Sequence, residues 1–225
     1  AEFIRNFGYG LKGVQDEVHP KELQKLLSRV ADSPEEALIS RLTLRSMKQA
    51  RYSTECSGHF GLAAKYYTHF TSPIRRYPDL QIHRIIKENL RGRLNAERIA
   101  HYQEILPEVA EHSSKTERRA DEAERDTDKM KKAEYMLQHI GEEYEGVISS
   151  ITPWGMYVEL PNTIEGLIHV ANLYDDRYYY NENTHEMVGS DLGKVYKLGQ
   201  SIRVRVLDAD KENATIDFVP AAIWG

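Results

Sequence analysis

Two adjacent arginines, Arg75 and Arg76, have the clearest chemical potential in this sequence. They lie in the run Thr71–Asp79 (TSPIRRYPD), just after a Ser-Pro pair of the kind that begins a helix. With the proline as the first helical residue and Thr71 or Ser72 as its cap, free N–H groups and the positive end of the helix dipole would lie beside both guanidinium groups. This arrangement is suited to binding a phosphate group bidentately.

Flat side chains surround the two arginines. Tyr77 follows them, and the preceding residues offer further faces for stacking on a base or a ribose: Tyr66, Tyr67, His69 and Phe70. Asp79 could orient one of the arginines. The residues alone also allow a plain alternative, which is a capped, salt-bridged surface helix with buried aromatic side chains.

Acidic residues that could hold a metal ion occur in two places. Asp175 and Asp176 are adjacent, and Asp121, Asp126 and Asp128 lie on a charged helical stretch. We expect neither set to form a metal site. The single cysteine, Cys56, excludes a disulfide framework within the chain and a multi-cysteine zinc site, and we interpret it as a buried or idle thiol in a reducing cytosol.

The first 140 residues are predicted to be mainly helical. Helices are expected over 20–30, 33–49 and 72–92, followed by a charged helical pair over 96–139. Ser33 and Pro34 should begin the second helix, Pro78 should kink or split the third, and Pro107 should break the pair. Residues 50–58 (ARYSTECSG) are interpreted as a strand or an extended segment.

From Gly141 the pattern changes to short strands separated by turns. Five strands with glycine-containing turns within about 80 residues predict a small closed β-barrel. A polar, tyrosine-rich segment at 172–196 separates strands three and four and should have structure of its own or a functional role. The predicted fold is therefore α+β, with domains at 1–140 and 141–225.

Charge divides the chain unevenly. The formal net charge is −5, with 24 Lys and Arg against 21 Asp and Glu in residues 1–140 and 6 against 14 in residues 141–225. Bulk charge therefore does not indicate nucleic-acid binding, although one face can still be basic because screening limits the reach of distant charges to about 10 Å. The sequence shows no transmembrane run and no signal-peptide pattern, which favours a cytoplasmic protein. Its first residues, AEFIRNFGYG, are interpreted as the start of a fragment or a processed chain.

The run His59–His83 (HFGLAAKYYTHFTSPIRRYPDLQIH) resembles the signature of the RNase II/RNase R (RNB) family of exoribonucleases. Two further segments support the resemblance: FIRNFGYGLKG near the start, and Ala123–Asp126 (AERD), which resembles a helical segment near the family's active site. The resemblance implies the mainly helical C-terminal part of an RNB nuclease domain. It also implies hydrolysis of single-stranded RNA from its 3′ end to 5′-monophosphates, with Mg²⁺ held by clustered aspartates.

The resemblance also assigns roles to individual residues. Arg75 corresponds to the catalytic arginine that contacts phosphate near the scissile bond, and Arg76, Tyr77 and Glu124 are expected to contact RNA. The family's aspartate cluster lies upstream of the arginine motif, and nothing in this sequence matches it. We therefore expect the metal ligands to lie outside this chain, the chain alone to be inactive, and the chain to associate with the remaining N-terminal part of the enzyme.

The C-terminal strands resemble an S1-type OB-fold RNA-binding domain. Four residues fall at positions expected to bind RNA: Trp154, Tyr157, His169 and Asp210. Trp154 and Tyr157 should be exposed aromatics, although a place in the barrel core is the alternative. Ala214 stands where related barrels often carry an arginine, and Lys211, Arg203 or Arg205 are the candidates to compensate. The tyrosines of segment 172–196 should either stack on RNA or pack against the barrel.

The sequence thus predicts part of a 3′-to-5′ exoribonuclease that binds the 3′ end of single-stranded RNA, acts as a monomer and does not bind membranes. The main alternative is a non-catalytic RNA-binding adaptor with an S1-type barrel. A purely structural helical module is disfavoured because it leaves TSPIRRYPD unexplained.

Overall fold

The computed structural model describes residues 8–10, 18–33, 36–182 and 184–223. Within these ranges, residues 9–31 and 41–122 belong to one compact unit, and 32–40 and 123–223 belong mainly to a second. The first unit contains helices and irregular segments, and the second contains sheets. The α+β class is therefore confirmed, whereas the domain boundary at residue 140 stays a prediction.

Helix α1 (Pro20–Val30) follows the sequence pattern closely. Its first residue is a proline, whose missing N–H is not needed there, and the Nδ1 atom of His19 accepts from the Lys21 N–H at 3.2 Å. Leu26 and Val30, one turn apart, are buried. Helix α2 (Glu36–Ser46) ends three residues before the predicted Gln49, and Pro34, which was expected to begin it, lies outside the described residues.

Helix α3 (Tyr77–Leu90) begins later than predicted. Residues 72–76 form a turn in which the N–H groups of Arg75 and Arg76 both donate to the Ser72 carbonyl, at 3.2 and 3.0 Å. The helix begins one residue before Pro78 because a proline, which has no N–H to donate, fits only the first turn. The prediction that both arginines lie in the helix is therefore wrong: they precede it, and Pro78 starts the helix without kinking it. Gly92, with φ +64°, follows the helix end as expected.

Helix α4 (Ala96–Met136) is continuous over 41 residues. The predicted break at Pro107 is wrong, since many residues with high helix propensity on both sides offset the cost of about 3 kcal/mol that a proline adds. Residues 50–58 form no regular strand, and an isolated bridge joins His59 to Ala64. Cys56 in this segment is a free, exposed thiol, so of the two predicted alternatives, a buried or an idle thiol, burial is wrong.

The second unit contains the expected five-stranded closed barrel, in the order β1-β2-β3-β8-β7. Its strands are β1 (Glu143–Thr152), β2 (Gly155–Glu159), β3 (Glu165–His169), β7 (Ser201–Asp210) and β8 (Thr215–Pro220). All neighbours pair antiparallel except β3 and β8, which are parallel. Phe218 fills the centre, and Gly166 is required opposite it because a Cβ there would lie 2.6 Å from the phenyl ring.

The segment between β3 and β7 has structure of its own, as predicted. It forms a three-stranded antiparallel sheet of β4 (Tyr178–Asn181), β5 (Glu186–Gly189) and β6 (Val195–Tyr196). The Asp176 carboxylate closes this insert by accepting from the backbone N–H groups of Arg177, Asp191 and Leu192.

The last turns of α4 belong to the barrel unit. Ala133 and Met136 are buried in the barrel's hydrophobic cluster. Glu134 forms an ion pair with Lys211 of the β7–β8 hairpin, and Lys132 Nζ donates to the Thr163 carbonyl at 3.0 Å. The C-terminal end of α4 is therefore held by both apolar burial and polar contacts.

Candidate nucleic-acid interface

The arginine loop, defined here as residues 70–76, presents one of its two arginines to solvent. Arg75 is exposed, and its side chain has no hydrogen-bond or ion-pair partner within the described ranges. Its neighbour Ile74 is fully exposed. The guanidinium of Arg75 is therefore available to an anionic ligand.

Arg76 is engaged within the protein. Its Nη2 atom donates to Asp79 Oδ2 at 2.8 Å, and the same oxygen accepts from the Ser72 N–H at 2.8 Å. Asp79 is completely buried. Burial raises the pKa of this carboxyl, but the Ser72 N–H and Arg76 outweigh it and hold the pKa below its ordinary value. Asp79 orients an arginine as expected, and that arginine is Arg76.

The aromatic side chains around the loop divide between exposed and packed positions. The half-exposed Tyr77 accepts from Gln81 Nε2 at 3.0 Å through its hydroxyl. Phe70 stacks on His83, with ring centroids 4.2 Å apart and an angle of 19° between the planes. Tyr77 thus retains a solvent-facing surface suited to stacking, whereas one face of Phe70 is covered.

A polar network that the sequence did not reveal lies nearby in the first unit. The Tyr52 hydroxyl donates to Glu117 Oε1 at 3.0 Å and lies 2.9 Å from His69 Nδ1. Burial, followed by the carboxylate of Glu117, raises the pKa of Tyr52 to about 12. The three residues border a cavity of about 350 Å³. Tyr52 and Glu117 are 65 positions apart, so no local pattern could have linked them.

Glu124 lies on a stretch of α4 that is exposed on every side. Residues 117–129 are all exposed, and this stretch includes Asp121, Asp126 and Asp128. Asp128 pairs with Lys132 at 2.9 Å. A helix without a buried face has its polar side chains available for contacts, and the expected RNA contact of Glu124 stays a prediction.

Three of the four residues expected on the barrel lie close together. Trp154 is 52% exposed, and its Nε1 atom donates to the Tyr157 hydroxyl at 3.4 Å. His169 is paired with Gly155 across β2 and β3, and the Val170 N–H donates to the Trp154 carbonyl. The prediction that Trp154 lies outside the core is confirmed. The three side chains provide an aromatic surface on the outside of the barrel.

Asp210 lies at the end of β7 and organises the hairpin that follows. Its Oδ1 atom accepts from the N–H groups of Glu212 and Asn213, at 2.8 and 3.0 Å. Both arginines of β7 contact Glu143: Arg203 Nε at 3.1 Å and Arg205 Nη2 at 2.8 Å. Lys211 pairs with Glu134. All three residues that could compensate for the missing arginine at Ala214 therefore already form ion pairs within the protein.

An acidic pair, Asp208 and Asp217, continues the outer face of the barrel and was missed by the sequence reasoning. The two residues are direct partners across β7 and β8, and Asp217 is also paired with Leu167, the partner of Tyr157. Burial, followed by the charge of Asp208, raises the pKa of Asp217. The two aspartates face each other because the pairing of β7 with β8 begins at Asp210 and Thr215, two positions away on each strand.

The tyrosines of the insert also divide. Tyr174 and Tyr179 are more than half exposed, whereas Tyr178 and Tyr180 pack against the barrel cluster. Successive side chains of β4 point to opposite faces of the sheet, so Tyr178 and Tyr180 pack while Tyr179 is exposed. Packing against the barrel therefore applies to some tyrosines, and stacking on RNA stays a prediction for the exposed ones. Asp175 pairs with Lys194 at 3.0 Å and accepts from Tyr178, so it contributes to the packing of the insert.

Comparisons with known proteins identify both halves of the chain. The RNB domain profile matches residues 2–92, and the S1 RNA binding domain profile matches residues 138–219. Ribonuclease R 1 of Lactococcus lactis is 48% identical over 96% of this chain, and Ribonuclease R of Thermotoga maritima is 49% identical over 90%. The chain spans 27% and 29% of the lengths of these two relatives.

Solved structures agree with the sequence comparisons. Mycoplasma genitalium RNase R, in its apo form and in complex with ribose methylated single-stranded RNA, matches 97% of this chain with a TM-score of 0.88 and 26% identity. The match covers 35% of each solved chain. The chain thus contains a segment that matches the RNB domain followed by a segment that matches the S1 RNA binding domain, and it is similar in sequence and fold to RNase R proteins over most of its length.

Proposed function

We propose that this chain is part of a 3′-to-5′ hydrolytic exoribonuclease that degrades single-stranded RNA to 5′-monophosphates. In this proposal, residues 1–140 form the C-terminal part of the RNB domain and residues 141–225 form the S1 barrel. The observation that carries the proposal is Arg75: an exposed, unengaged guanidinium on a loop braced by a buried carboxylate, in a chain 48% identical to a ribonuclease R.

Arg75 is the proposed catalytic residue. When a phosphodiester is attacked, negative charge grows on the phosphoryl oxygens, and a fixed guanidinium stabilises this charge more than it stabilises the ground state. Arg76, whose charge is offset by the buried Asp79, would support the loop beside the RNA, and Tyr77 would stack on a base or ribose there. The loop would thus bind the phosphate at the reacting bond.

The residues described here do not form a magnesium site. Within those ranges, no group of three or more His, Cys, Asp or Glu side chains could hold a metal ion. Magnesium would supply charge neutralisation and an activated water in such an enzyme, and its ligands are proposed to lie outside this chain. The contributions proposed for the described residues are phosphate binding and RNA capture.

The barrel is proposed to capture RNA weakly and without sequence preference. Stacking on Trp154 and Tyr157 requires no particular base, and His169 and Asp210 lie on the same domain. The acidic pair Asp208–Asp217 opposes a polyanion, and Arg203 and Arg205 are shared with Glu143. The chain alone should therefore bind RNA weakly, with Glu124 of α4 as a further contact, and tight binding should depend on the rest of the enzyme.

The remaining partners follow from this role. Many apolar side chains of the first unit are exposed, including Leu62, Tyr66 and Ile74, and such a surface marks a contact with other protein. We propose that it packs against the upstream part of the RNB domain, in a monomeric enzyme of the cytoplasm. In the described part of the chain, no helix has the length and apolar character needed to cross a membrane. A non-catalytic adaptor is disfavoured because several relatives that match most of the chain are ribonuclease R proteins.

A domain replacement tests the proposal. The matching region of Lactococcus lactis Ribonuclease R 1 is replaced by this chain, and the hybrid is incubated with a 5′-labelled single-stranded RNA and Mg²⁺. Stepwise shortening from the 3′ end with release of 5′-monophosphates is expected. A correctly folded hybrid that binds the RNA without shortening it would support the adaptor instead.

A further inference from the structure

We propose that Asp79 and His83 are positioning residues whose function is to hold the arginine loop so that Arg75 projects toward the RNA phosphate. This inference rests on the proposed function, because it concerns the same arginine. It also separates the two arginines of the motif: Arg75 contacts the substrate, whereas Arg76 is part of the support. The contacts that hold the loop are made by one face of α3.

Asp79 links the two ends of the turn that contains Arg75. One carboxylate oxygen accepts from the Ser72 backbone N–H and from the Arg76 side chain, both at 2.8 Å. Ser72 in turn accepts the N–H groups of Arg75 and Arg76 through its carbonyl. A single buried oxygen therefore connects the beginning of the turn to its end, and Arg75 lies between the two fixed points.

His83 holds the N-terminal part of the loop from the next turn of the same helix. Its Nε2–H donates to the Phe70 carbonyl at 2.8 Å, and its ring stacks on the Phe70 ring. Residues four positions apart lie on the same face of a helix, so Asp79 and His83 present adjacent groups to the loop. The helix thus fixes the backbone at Phe70 and at Ser72, on the N-terminal side of Arg75.

The burial of Asp79 argues for a positioning role. An ion pair that is removed from water contributes little net stability compared with apolar side chains of similar volume. What such a pair does provide is geometry, because Asp79 Oδ2 can accept from both the Ser72 N–H and the Arg76 side chain in one arrangement only. Here that arrangement places Arg76 inward, with a side chain only 19% exposed, and leaves Arg75 outward.

A double-mutant cycle in the hybrid enzyme tests the inference. The variants are Arg75→Ala, Asp79→Asn and their combination, with Glu88→Gln as a control that removes a different ion pair of the same helix, Glu88–Arg98. Asp79→Asn should lower kcat about tenfold with KM changed less than about twofold. If Asp79 acts through Arg75, the double variant should be no slower than Arg75→Ala alone. Glu88→Gln should leave kcat near the parent value.

Independent, multiplicative losses in the double variant would overturn the inference, and so would an Asp79→Asn variant as fast as the parent. A second measurement uses the 225-residue chain itself and needs no activity. Amide hydrogen exchange at Ser72 should accelerate about tenfold or more in Asp79→Asn and should not change in Arg75→Ala. Equal exchange at Ser72 in the parent chain, Asp79→Asn and Arg75→Ala would overturn the positioning role even if the hybrid were inactive. Failure of the positioning role can therefore be distinguished from failure of the proposed exoribonuclease function.

Discussion

At the scale of single residues, neighbouring and chemically identical side chains have different roles. Arg75 and Arg76 are consecutive, yet Arg76 is paired with the buried Asp79 while Arg75 is exposed. The difference comes from the turn that precedes α3, in which the two side chains leave the backbone in different directions. The motif identifies the arginines, but only the turn geometry assigns the roles.

The first prediction concerns Arg75. In the hybrid enzyme, Arg75→Ala should lower kcat by roughly 10²-fold to 10³-fold, the range expected when one charged donor to a developing oxyanion is removed. RNA affinity should fall far less, because the barrel and the other contacts remain. Single-turnover kinetics and a separate binding titration measure the two quantities. Arg91→Ala, which removes another exposed arginine at the end of α3, is the matched control. Equal losses of rate and affinity in Arg75→Ala would mean that Arg75 only holds substrate.

The second prediction concerns Trp154. If the aromatic surface stacks on RNA, Trp154→Ala should weaken RNA binding by the chain by about 1–3 kcal/mol for each stacked base. Since the side chain is half exposed, the thermal stability of the barrel should change little. Fluorescence anisotropy with a short labelled RNA measures the affinity. Tyr135→Ala, which removes another half-exposed aromatic side chain, on α4, is the matched control. An unchanged affinity for Trp154→Ala would exclude the surface as a binding site.

At the scale of elements, the barrel was predictable and the helix boundaries were not. Strand alternation and turn residues act locally, so five strands and the structured insert could be inferred from the sequence. Pro78 and Pro107 were both expected to disturb helices, but one starts α3 and the other lies within α4. A proline can begin a helix, kink it or lie within it. The outcome depends on the helix propensity of the neighbouring residues and on packing, and neither can be inferred from the proline alone.

The third prediction concerns the acidic pair on β7 and β8. Replacing Asp208 and Asp217 by asparagine should tighten RNA binding severalfold at low salt, because two negative charges on the same outer face as Tyr157 are removed. Glu212→Gln, a charge removal at the hairpin tip, is the control and should have a smaller effect. Binding titrations at two salt concentrations measure the change. An unaltered affinity would place the RNA path away from this face.

The same pair gives a pH dependence of stability. Burial and the charge of Asp208 raise the pKa of Asp217, so the folded barrel favours the protonated carboxyl. The stability that this protonated form gives the folded barrel is lost as the pH rises from the ordinary pKa of 3.8 through the raised pKa of the folded state. Asp217→Asn should therefore stabilise the barrel at neutral pH, by less than about 1 kcal/mol since the site is partly exposed. Denaturant titrations at pH 7 and pH 3 measure the gain, which should disappear at the lower pH. A variant that is less stable than the parent at pH 7 would contradict this sign.

At the scale of the whole molecule, the two units differ in how completely they bury apolar surface. Among the residues that the structure describes, 17 buried apolar side chains of the barrel unit form one cluster, which includes Phe218 and Ile168. The first unit exposes residues such as Leu62, Tyr66 and Ile74. The sequence could not show this contrast. A hydrophobic pattern predicts which side chains are buried, but it does not indicate whether they pack against residues of the same chain or against another part of the enzyme.

The fourth prediction follows from that contrast. The chain alone should unfold in two steps, with the first unit opening at lower denaturant than the barrel, because burial contributes about 25 cal/mol for each Å² of apolar surface. Hydrogen exchange followed by mass spectrometry resolves the two units. In the hybrid enzyme, residues 59–90 should become better protected while the barrel changes little. A single cooperative transition covering both units would contradict the expectation.

The central claim is that this chain binds RNA phosphate but lacks the metal-binding part of the active site. The most direct test incubates the purified 225-residue chain with 5′-labelled single-stranded RNA, Mg²⁺ and a matched EDTA control, using the hybrid enzyme as the positive control. We predict that the chain binds the RNA and leaves its length unchanged while the hybrid shortens it. Robust Mg²⁺-dependent shortening by the chain alone would contradict the account, because it would require a metal site within these 225 residues.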